Sequence, residues 1–505
     1  MPTESFVYDA FAAGEFGLLG ASGAPPGSFT GQNVMVFIDG TIGPRPGMVE
    51  LTPASIPVGA VWGLIGTSRT WTRAIVFGVG NTVYGFTFSP LGAVSSLGTL
   101  AGTPSTPPVK MVQFGPQLAY AAVYGDKGYK IDPATPAVTA LASFPACRVL
   151  CVYGERMIAA NTAANPNRVY YSAAADFTSW PALNYFDVSN AWPIQHVEEA
   201  RSRLSIANTG NEWWSLSGIP GVNGTLRRAP RADVSPHAPN HVARLGETLW
   251  FLPATTDFPA QFTGAVADKL RLRHLAFAGG VGGSATAFGA AAFQPSETLI
   301  FTNSTTSKML AQHNGVWSVH TIPAGVGPYV SSVADGGVAV NDGSLILCDG
   351  GGVGVAAKFY SWRPTIDRPG KVGDTDAQPG DGSTTPLVAN FAVPERWSRD
   401  GKEFTVRSVT VDFVKWNTGA TATNHIDVTV RSLYRHGVAS HKDSAVKSWD
   451  EAPSATTADK TSDRHIFNFG DQGPAHGFQI RFDALRGVAI RRFIVQVDVT
   501  DARRP

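Results

Sequence analysis

Three sets of residues have the types and spacing for chemistry. Arg227, Arg228 and Arg231, in TLRRAPRADVSPHAP, form the one basic cluster ahead of the C-terminal quarter, with Arg271 and Arg273 nearby in sequence. They suit contact with anionic groups, although a solvated loop is the plainer account. Asp335, Asp342 and Asp349 recur every seven residues among glycines, a spacing that brings a calcium loop to mind. The intervening GGVAV and SLIL read as strands, so turn-forming Asp-Gly dipeptides are the favoured reading. Cys147 and Cys151 share a face of the strand CRVLCVY, with Cys348 the only other cysteine. Three cysteines cannot build a disulfide framework, and we expect buried, reduced thiols. The eleven histidines are scattered, five of them after Pro386, with His436 and His441 in one loop, and no metal site is expected from them. The sequence contains no G-x-S-x-G elbow, H-E-x-x-H helix, C-x-x-C pair or G-x-x-x-x-G-K-[ST] loop. We assign no catalytic, cofactor or metal residue and read the chain as not an enzyme.

Composition narrows the class further. The 505 residues are 43% hydrophobic and 16% charged, and 40 basic side chains against 39 acidic ones leave a net charge of +1. That balance excludes a chain-wide electrostatic grip on nucleic acid or anionic lipid. With 54 Gly and 35 Pro the chain is turn-rich. MPTESFVYDAFAAGEF places acidic side chains ahead of any basic one with no apolar run behind them, so no signal peptide is expected. Between Arg73 and Lys110 there is no charge at all, but Gly, Asn and Pro break the stretch into short buried strands and exclude a membrane-spanning helix.

The elements that must position these residues are strands. RAIVFGVGNTVYGFTF, VKMVQFGPQLAYAAVYGDKGYKID and NHVARLGETLWFLP each read as a hairpin. Turns fall at Gly80-Asn81, Gly125-Asp126-Lys127-Gly128 and Asn341-Asp342-Gly343. The strongest helix candidate, AVADKLRLRHLAF, is short. Aligning first strands near Arg73, Lys110, Arg148, Ile194, His241, His274 and Tyr329 gives about seven units of roughly forty residues, the size of four-stranded propeller blades. Trp213, Trp214, Trp250, Trp317 and Trp362 suit packing between blades, with an aromatic sugar platform as the alternative.

Charge density then changes. Residues 386–505 carry 17 basic and 14 acidic side chains, 31 charges in 120 residues, against 48 in the first 385. KEFTVRSVTVDFVKWN and HIDVTVRSLYRHG alternate apolar and polar residues, as expected of a separate antiparallel β-sandwich with one wet face per strand. The expected fold class is therefore all-β: an N-terminal arm over 1–72 closing onto a β-propeller over 73–362, a Pro- and Gly-rich linker over 363–385, and a C-terminal β-sandwich over 386–505.

Three stretches carry a family likeness: QNVMVFIDGTIGPRPGMVEL (Gln32 to Leu51) with its Arg45-Pro46-Gly47 element, NRVYYSAAADFTSWP (Asn167 to Pro181), and the C-terminal pair GFQIRF and VQVDV. Through them the chain resembles the β-propeller tail proteins of tailed bacteriophages, particularly the nozzle or tubular tail protein of short-tailed phages. The resemblance implies a virion structural protein, assembled in the host cytoplasm and located in the tail. It implies a homohexameric ring below the portal and adaptor that carries tail fibre proteins, retains the genome and lets double-stranded DNA pass without specific contacts. No catalytic residue or cofactor comes with it. Arg45, Pro46, Gly47, Arg227, Arg228 and Arg231 are the candidate assembly residues, and the uncharged loop from Gly20 to Gly31 is a candidate interface arm. The alternative is a glycan-binding or glycan-cleaving propeller, such as a tailspike or lectin. SAAADFTSW (Ser172 to Trp180) parallels the S-x-D-x-G-x-x-W turn box of propeller glycosidases but lacks its glycine and its spacing.

Overall fold

Short runs of β-branched and aromatic residues, separated by residues that tolerate positive φ, fold here into small antiparallel sheets joined by tight turns. The computed structural model describes residues 3–501, except 9–29, 37–40, 46–47, 67–73, 88–90, 106, 115–117, 189–191, 233, 254–258, 265, 270–287, 294–296, 314–315, 327–328, 334–343, 363–387, 394, 399–401, 416–423, 435–440, 452–460 and 471. Among the described residues there is no α-helix; the lone helical turn is the 3-10 segment Pro239–His241.

Seven sheets form a β-propeller. Blade 1 runs Val61–Gly66, Ala74–Val79, Thr82–Thr87, Ser95–Thr99; blade 2 Met111–Phe114, Leu118–Ala122, Gly128–Asp132, Ala137–Leu141; blade 3 Cys147–Tyr153, Arg156–Thr162, Arg168–Tyr171, Tyr185–Asp187. Blade 4 runs Ile194–Ala200, Arg203–Asn208, Trp213–Ser217, Thr225–Arg228, and blade 5 Val242–Leu245, Thr248–Phe251, Ala260–Phe262, Val266–Lys269, with Arg231–Ala232 added in parallel at its rim. Blade 6 runs Phe288–Phe293, Thr298–Asn303, Lys308–His313, Val316–Thr321. Blade 7 takes Tyr329–Val333, Ser344–Cys348 and Phe359–Trp362 from one end of the ring and Val49–Leu51 from the other. Val49–Leu51 lies antiparallel to Phe359–Trp362, and the first strands of blades 7 and 1 pack together, so the ring is closed by the N-terminal segment.

The blades bury both faces, which explains strands that read as continuous apolar runs. Val61–Gly66 is almost wholly buried along its length. Glycine permits one especially close approach: a Cβ at Gly78 would stand 1.9 Å from the Trp62 ring, whose Nε1 donates to the Gly80 carbonyl at 2.9 Å. Tryptophans fill the spaces between blades. Trp213 is fully buried, stacks on Phe262 of blade 5 at 4.1 Å and donates from Nε1 to the Val234 carbonyl at 2.7 Å, while Trp250 of blade 5 meets Trp317 of blade 6 edge-on at 5.6 Å.

The second body is a two-layer sandwich. One sheet is ordered Val34–Val36, Ile42–Pro44, Val488–Asp501, Lys402–Lys415, Thr461–Asn468, with Thr3–Tyr8 also on Val488–Asp501. The other pairs Ala389–Ala392, Gly477–Arg486, Asn424–Leu433 and the short strands His441–Asp443 and Lys447–Glu451. Phe404, Val406, Val409, Val411 and Phe413 fill the core against Ile426, Val428, Val430, Ile480 and Phe482. The three-residue step from Val406 to Val409 is a β-bulge, which restores the apolar face.

Several expectations need correction. The sandwich is not separate: Thr30–Gln32 pairs in parallel with blade 6 at Val319 and antiparallel with Ala389–Ala392, making one eleven-stranded sheet across both bodies. The arm over 1–72 supplies strands to the sandwich as well as closing blade 7. The propeller starts at Val61, not 73, because VWGLIG shows no alternation and two glycines hide its strand character; Ala74–Val79 is the second strand of its blade. AVADKLRLRHLAF begins as the strand Val266–Lys269. The start placed at His274, the turn at Asn341-Asp342-Gly343 and the linker over 363–385 lie outside the described residues.

Two predictions follow from closure and inter-blade packing. Deleting residues 1–51 removes a strand from blade 7 and four from the sandwich seam, and thermal melts by circular dichroism are expected to lose the cooperative transition. Trp213→Ala should lower unfolding free energy by about 3–5 kcal/mol in urea titrations.

Candidate functional site

The Arg-Pro-Gly element turns out to face inward. Arg45 is 2% exposed, and its Nη2 donates to the carbonyl of Thr321, the last residue of blade 6, at 2.6 Å. Its amide donates to the carbonyl of Asn33 at 2.9 Å. Asn33 grips the same residue: its Oδ1 accepts from the Thr321 amide at 2.8 Å and hydroxyl at 3.0 Å, and its own amide donates to the Val319 carbonyl at 2.9 Å. A φ of +57° at Asn33, which asparagine tolerates well, aims that side chain back at the strand. Arg45 is therefore an internal rivet between propeller and sandwich, and burial removes it from any interface with another subunit. Pro46 and Gly47 lie outside the described residues. Sequence reasoning missed Asn33, whose only signal is its place between the polar Gln32 and the apolar run Val34–Val36.

The other candidate arginines sit elsewhere on the ring. Arg227 and Arg228 are exposed on the outermost strand of blade 4, where Arg228 pairs with Glu212 at 3.0 Å. Arg231 begins the short strand at the rim of blade 5. The structure does not bring them to Arg45. The remaining chemistry candidates also resolve into packing and turns. Asp349 Oδ1 accepts from the amides of Gly351 and Lys358, while Asp335, Asp342 and His436 lie outside the described residues. His441 is exposed opposite Leu433. In SAAADFTSW, the Asp176 carboxylate accepts from the amide and hydroxyl of Thr178, and Ser172 Oγ accepts from the Met157 amide, which makes the segment a self-capped turn between the third and fourth strands of blade 3. All three cysteines are buried and free, and burial pushes the Cys147 thiol up to about 12 and raises those of Cys151 and Cys348 as well. Thiols held so firmly protonated are poor nucleophiles.

The propeller axis is the natural place for a site, since the first strands of the blades converge there. It holds a cavity of about 130 Å³ lined among others by Ile65, Lys110, Met111, Val242, Ala290 and Tyr329, from five blades. Lys110, Arg244 and Glu198 interact electrostatically near it; burial raises the Glu198 carboxyl, and the two cations oppose that rise. His196 is fully buried 3.9 Å from Glu198, and burial holds its ring well below the usual histidine range, hence neutral. Such an axis is far too narrow for a nucleic-acid duplex. Among the described residues, no group of three or more His, Cys, Asp or Glu side chains is placed to hold a metal ion, and no helix is long and apolar enough to cross a membrane.

No protein-family model and no curated protein sequence matches the chain. Among solved structures it is similar to the N-terminal domain of Nup159, with a TM-score of 0.41 and 10% identity over 70% of this chain and 99% of that one. It is also similar to a chain of a mitotic checkpoint complex, with a TM-score of 0.40 and 10% identity over 62% and 95%. PorZ, a surface component of the type-IX secretion system of Porphyromonas gingivalis, gives 0.40 and 12% over 78% and 46%. The architecture stands on the strand pairing described above.

Two outcomes are expected, one at the seam and one within blade 6. Arg45→Ala should cost about 2–3 kcal/mol in denaturant titrations, the loss of a buried charge-assisted hydrogen bond, and leave the oligomeric mass unchanged. His313, beside Thr298 at 2.7 Å, is pushed down to about 4 by burial. Its folded value lies below the unfolded one, so the unfolded chain takes up the proton first and stability falls as pH drops below about 6.5. Comparing unfolding free energies at pH 7 and 5, His313→Asn should recover about 2 kcal/mol of the loss.

Proposed function

We propose that the chain is a structural subunit of a bacteriophage tail, assembling as a ring-shaped nozzle or conduit below the portal and adaptor. The observation that carries the proposal is the route of the N-terminal segment. Strands Thr30–Gln32, Val34–Val36, Ile42–Pro44 and Val49–Leu51, within and beside one of the stretches that carry the resemblance to tail nozzle proteins, pair in turn with both sandwich sheets, blade 6 and blade 7. A subunit that transmits force between neighbours needs its domains joined in this manner.

Two further features favour the reading. Among the chemistry candidates, Arg45, Asp349, Ser172, Asp176 and the three cysteines are taken up by packing, turns and internal hydrogen bonds. An axis too narrow for a duplex means that DNA would pass through a lumen between subunits, and a near-neutral chain lets a polyanion slide instead of holding it. The ring is expected to be a hexamer carrying other tail parts.

Native mass measurement with negative-stain imaging of the purified chain tests this. Rings of six copies, each 53.3 kDa, are expected, with subunit interfaces of about 2,000 Å² or more. A monomer at every concentration up to the solubility limit, with and without portal and adaptor, would overturn it.

A further inference from the structure

The solvent face of the six-stranded sandwich sheet departs from what an antiparallel sheet normally shows to water. Its outward residues fall into cross-strand rows. One row is polar: Ser5, Gln496, Ser408 and Asn468 are partners in register. The next is Val7, Ile494, Thr410 and Ile466, with Val7 51% and Ile466 52% exposed. A third is Arg492, Asp412 and Arg464. The intervening Phe6, Val495, Val409 and Phe467 point into the core, so the alternation is intact and the apolar row is a true surface feature.

A β-bulge then adds charge to the same face. Asp412 pairs with Arg492 but the next residue, Phe413, pairs with Ile490, which leaves Arg491 extra in its strand. Arg491 and Arg492 together line an open depression of about 720 Å³ with Arg464, Asp412, Ser462 and Asp463. Asp412 is already shared, accepting from Arg464 Nε at 2.5 Å and from Arg492 Nε at 2.8 Å. The hydrogen bonds from Arg464, ahead of those from Arg492, hold its carboxyl below the usual range. Asp463 is engaged by Lys415 at 3.0 Å, which also holds Glu451. Arg491 is exposed and has no ion-pair partner among the described residues. Three guanidinium groups thus line the spot against two carboxylates, one of which is already held by Lys415.

We infer that this face docks a protein partner that lays carboxylates on Arg464, Arg491 and Arg492 and apolar side chains along Val7, Ile494 and Ile466. Arg464 and Arg492 already give Nε and Nη2 to Asp412, so a partner carboxylate meets their outer edges, whereas the planar Arg491 fork is open to a two-bond match; arginine beside apolar side chains is the composition of protein interfaces. A phosphodiester backbone would answer the arginines but offers nothing to the apolar row. The surface is a property of one subunit and does not depend on the ring.

Fluorescence anisotropy of the full chain tests it, with a labelled peptide alternating Glu and Leu as probe and an all-Glu peptide and a DNA duplex as comparisons. The Glu-Leu peptide should bind best and lose about tenfold in affinity on Arg491→Ser, whereas Arg228→Ser on blade 4 leaves it unchanged. Ile466→Ser should weaken the Glu-Leu peptide and not the all-Glu peptide. Both substituted positions are exposed, and unchanged melting curves verify the fold. Absence of saturable binding, equal sensitivity to Arg228→Ser, or tighter Arg491-dependent binding of the duplex would each overturn the inference.

Discussion

The constraint on which the rest depends is the open edge of a sheet. A blade ends in a strand with unpaired amides and carbonyls, and a row of such groups invites other strands. At blades 6 and 7 the chain answers with its own N-terminal segment: Gln32 pairs with Val319, and Val49–Leu51 with Phe359–Ser361. The same segment supplies Asn33 and Arg45 to the end of the blade 6 strand at Thr321, so the place where the sheet would otherwise stop becomes the point where the sandwich begins. Closure joins residues some three hundred apart in sequence, contacts that form only after the loop entropy between them has been lost.

This arrangement also explains the polar groups buried at the seam. Asn33, Arg45 and His320 would each be costly in an apolar interior, yet all lie at or beside the end of the blade 6 strand that meets the N-terminal segment. His320 bonds Ser318 at 3.0 Å, and its ring is kept neutral by burial, with Arg45 adding to the effect. A neutral His320 beside the Arg45 guanidinium avoids accumulating like charge there. Apolar packing alone would permit sliding of one sheet along the other, whereas directed bonds to the Thr321 amide, hydroxyl and carbonyl fix the register.

Much of this was legible in the residues. Ile194, Tyr329 and, to within a residue, Met111, Cys147 and Val242 begin blades where the hairpin pattern puts them, because Gly-containing turns and aromatic strands recur together. Blade 1 was out of phase because a strand buried on both faces has no alternation to read. An arm closing onto the propeller was expected, but the partners of its strands were invisible, since three-residue strands such as Thr30–Gln32 and Val49–Leu51 gain their stability from edges far away in sequence. Arg45 illustrates the limit most clearly: the residue stood out, but an arginine that binds a carbonyl within its own chain and one that binds another subunit look alike in sequence.

The jump in charge beyond residue 385 follows from the same geometry. Blade strands are enclosed by neighbours on both faces and leave room for few charges, while a sandwich strand keeps one face in water and fills alternate positions with ionisable groups. Among the described residues cross-strand pairs use many of them: Arg431 with Asp443 at 2.8 Å, Arg407 with Asp498 at 2.5 Å, Lys415 with Glu451 at 2.6 Å. The high charge density is therefore largely self-neutralised and is no sign of nucleic-acid binding. Against that background the exceptions gain meaning, because among the described residues this face leaves Arg491 without a counterion beside a row of exposed Val and Ile, a composition that suits a binding surface.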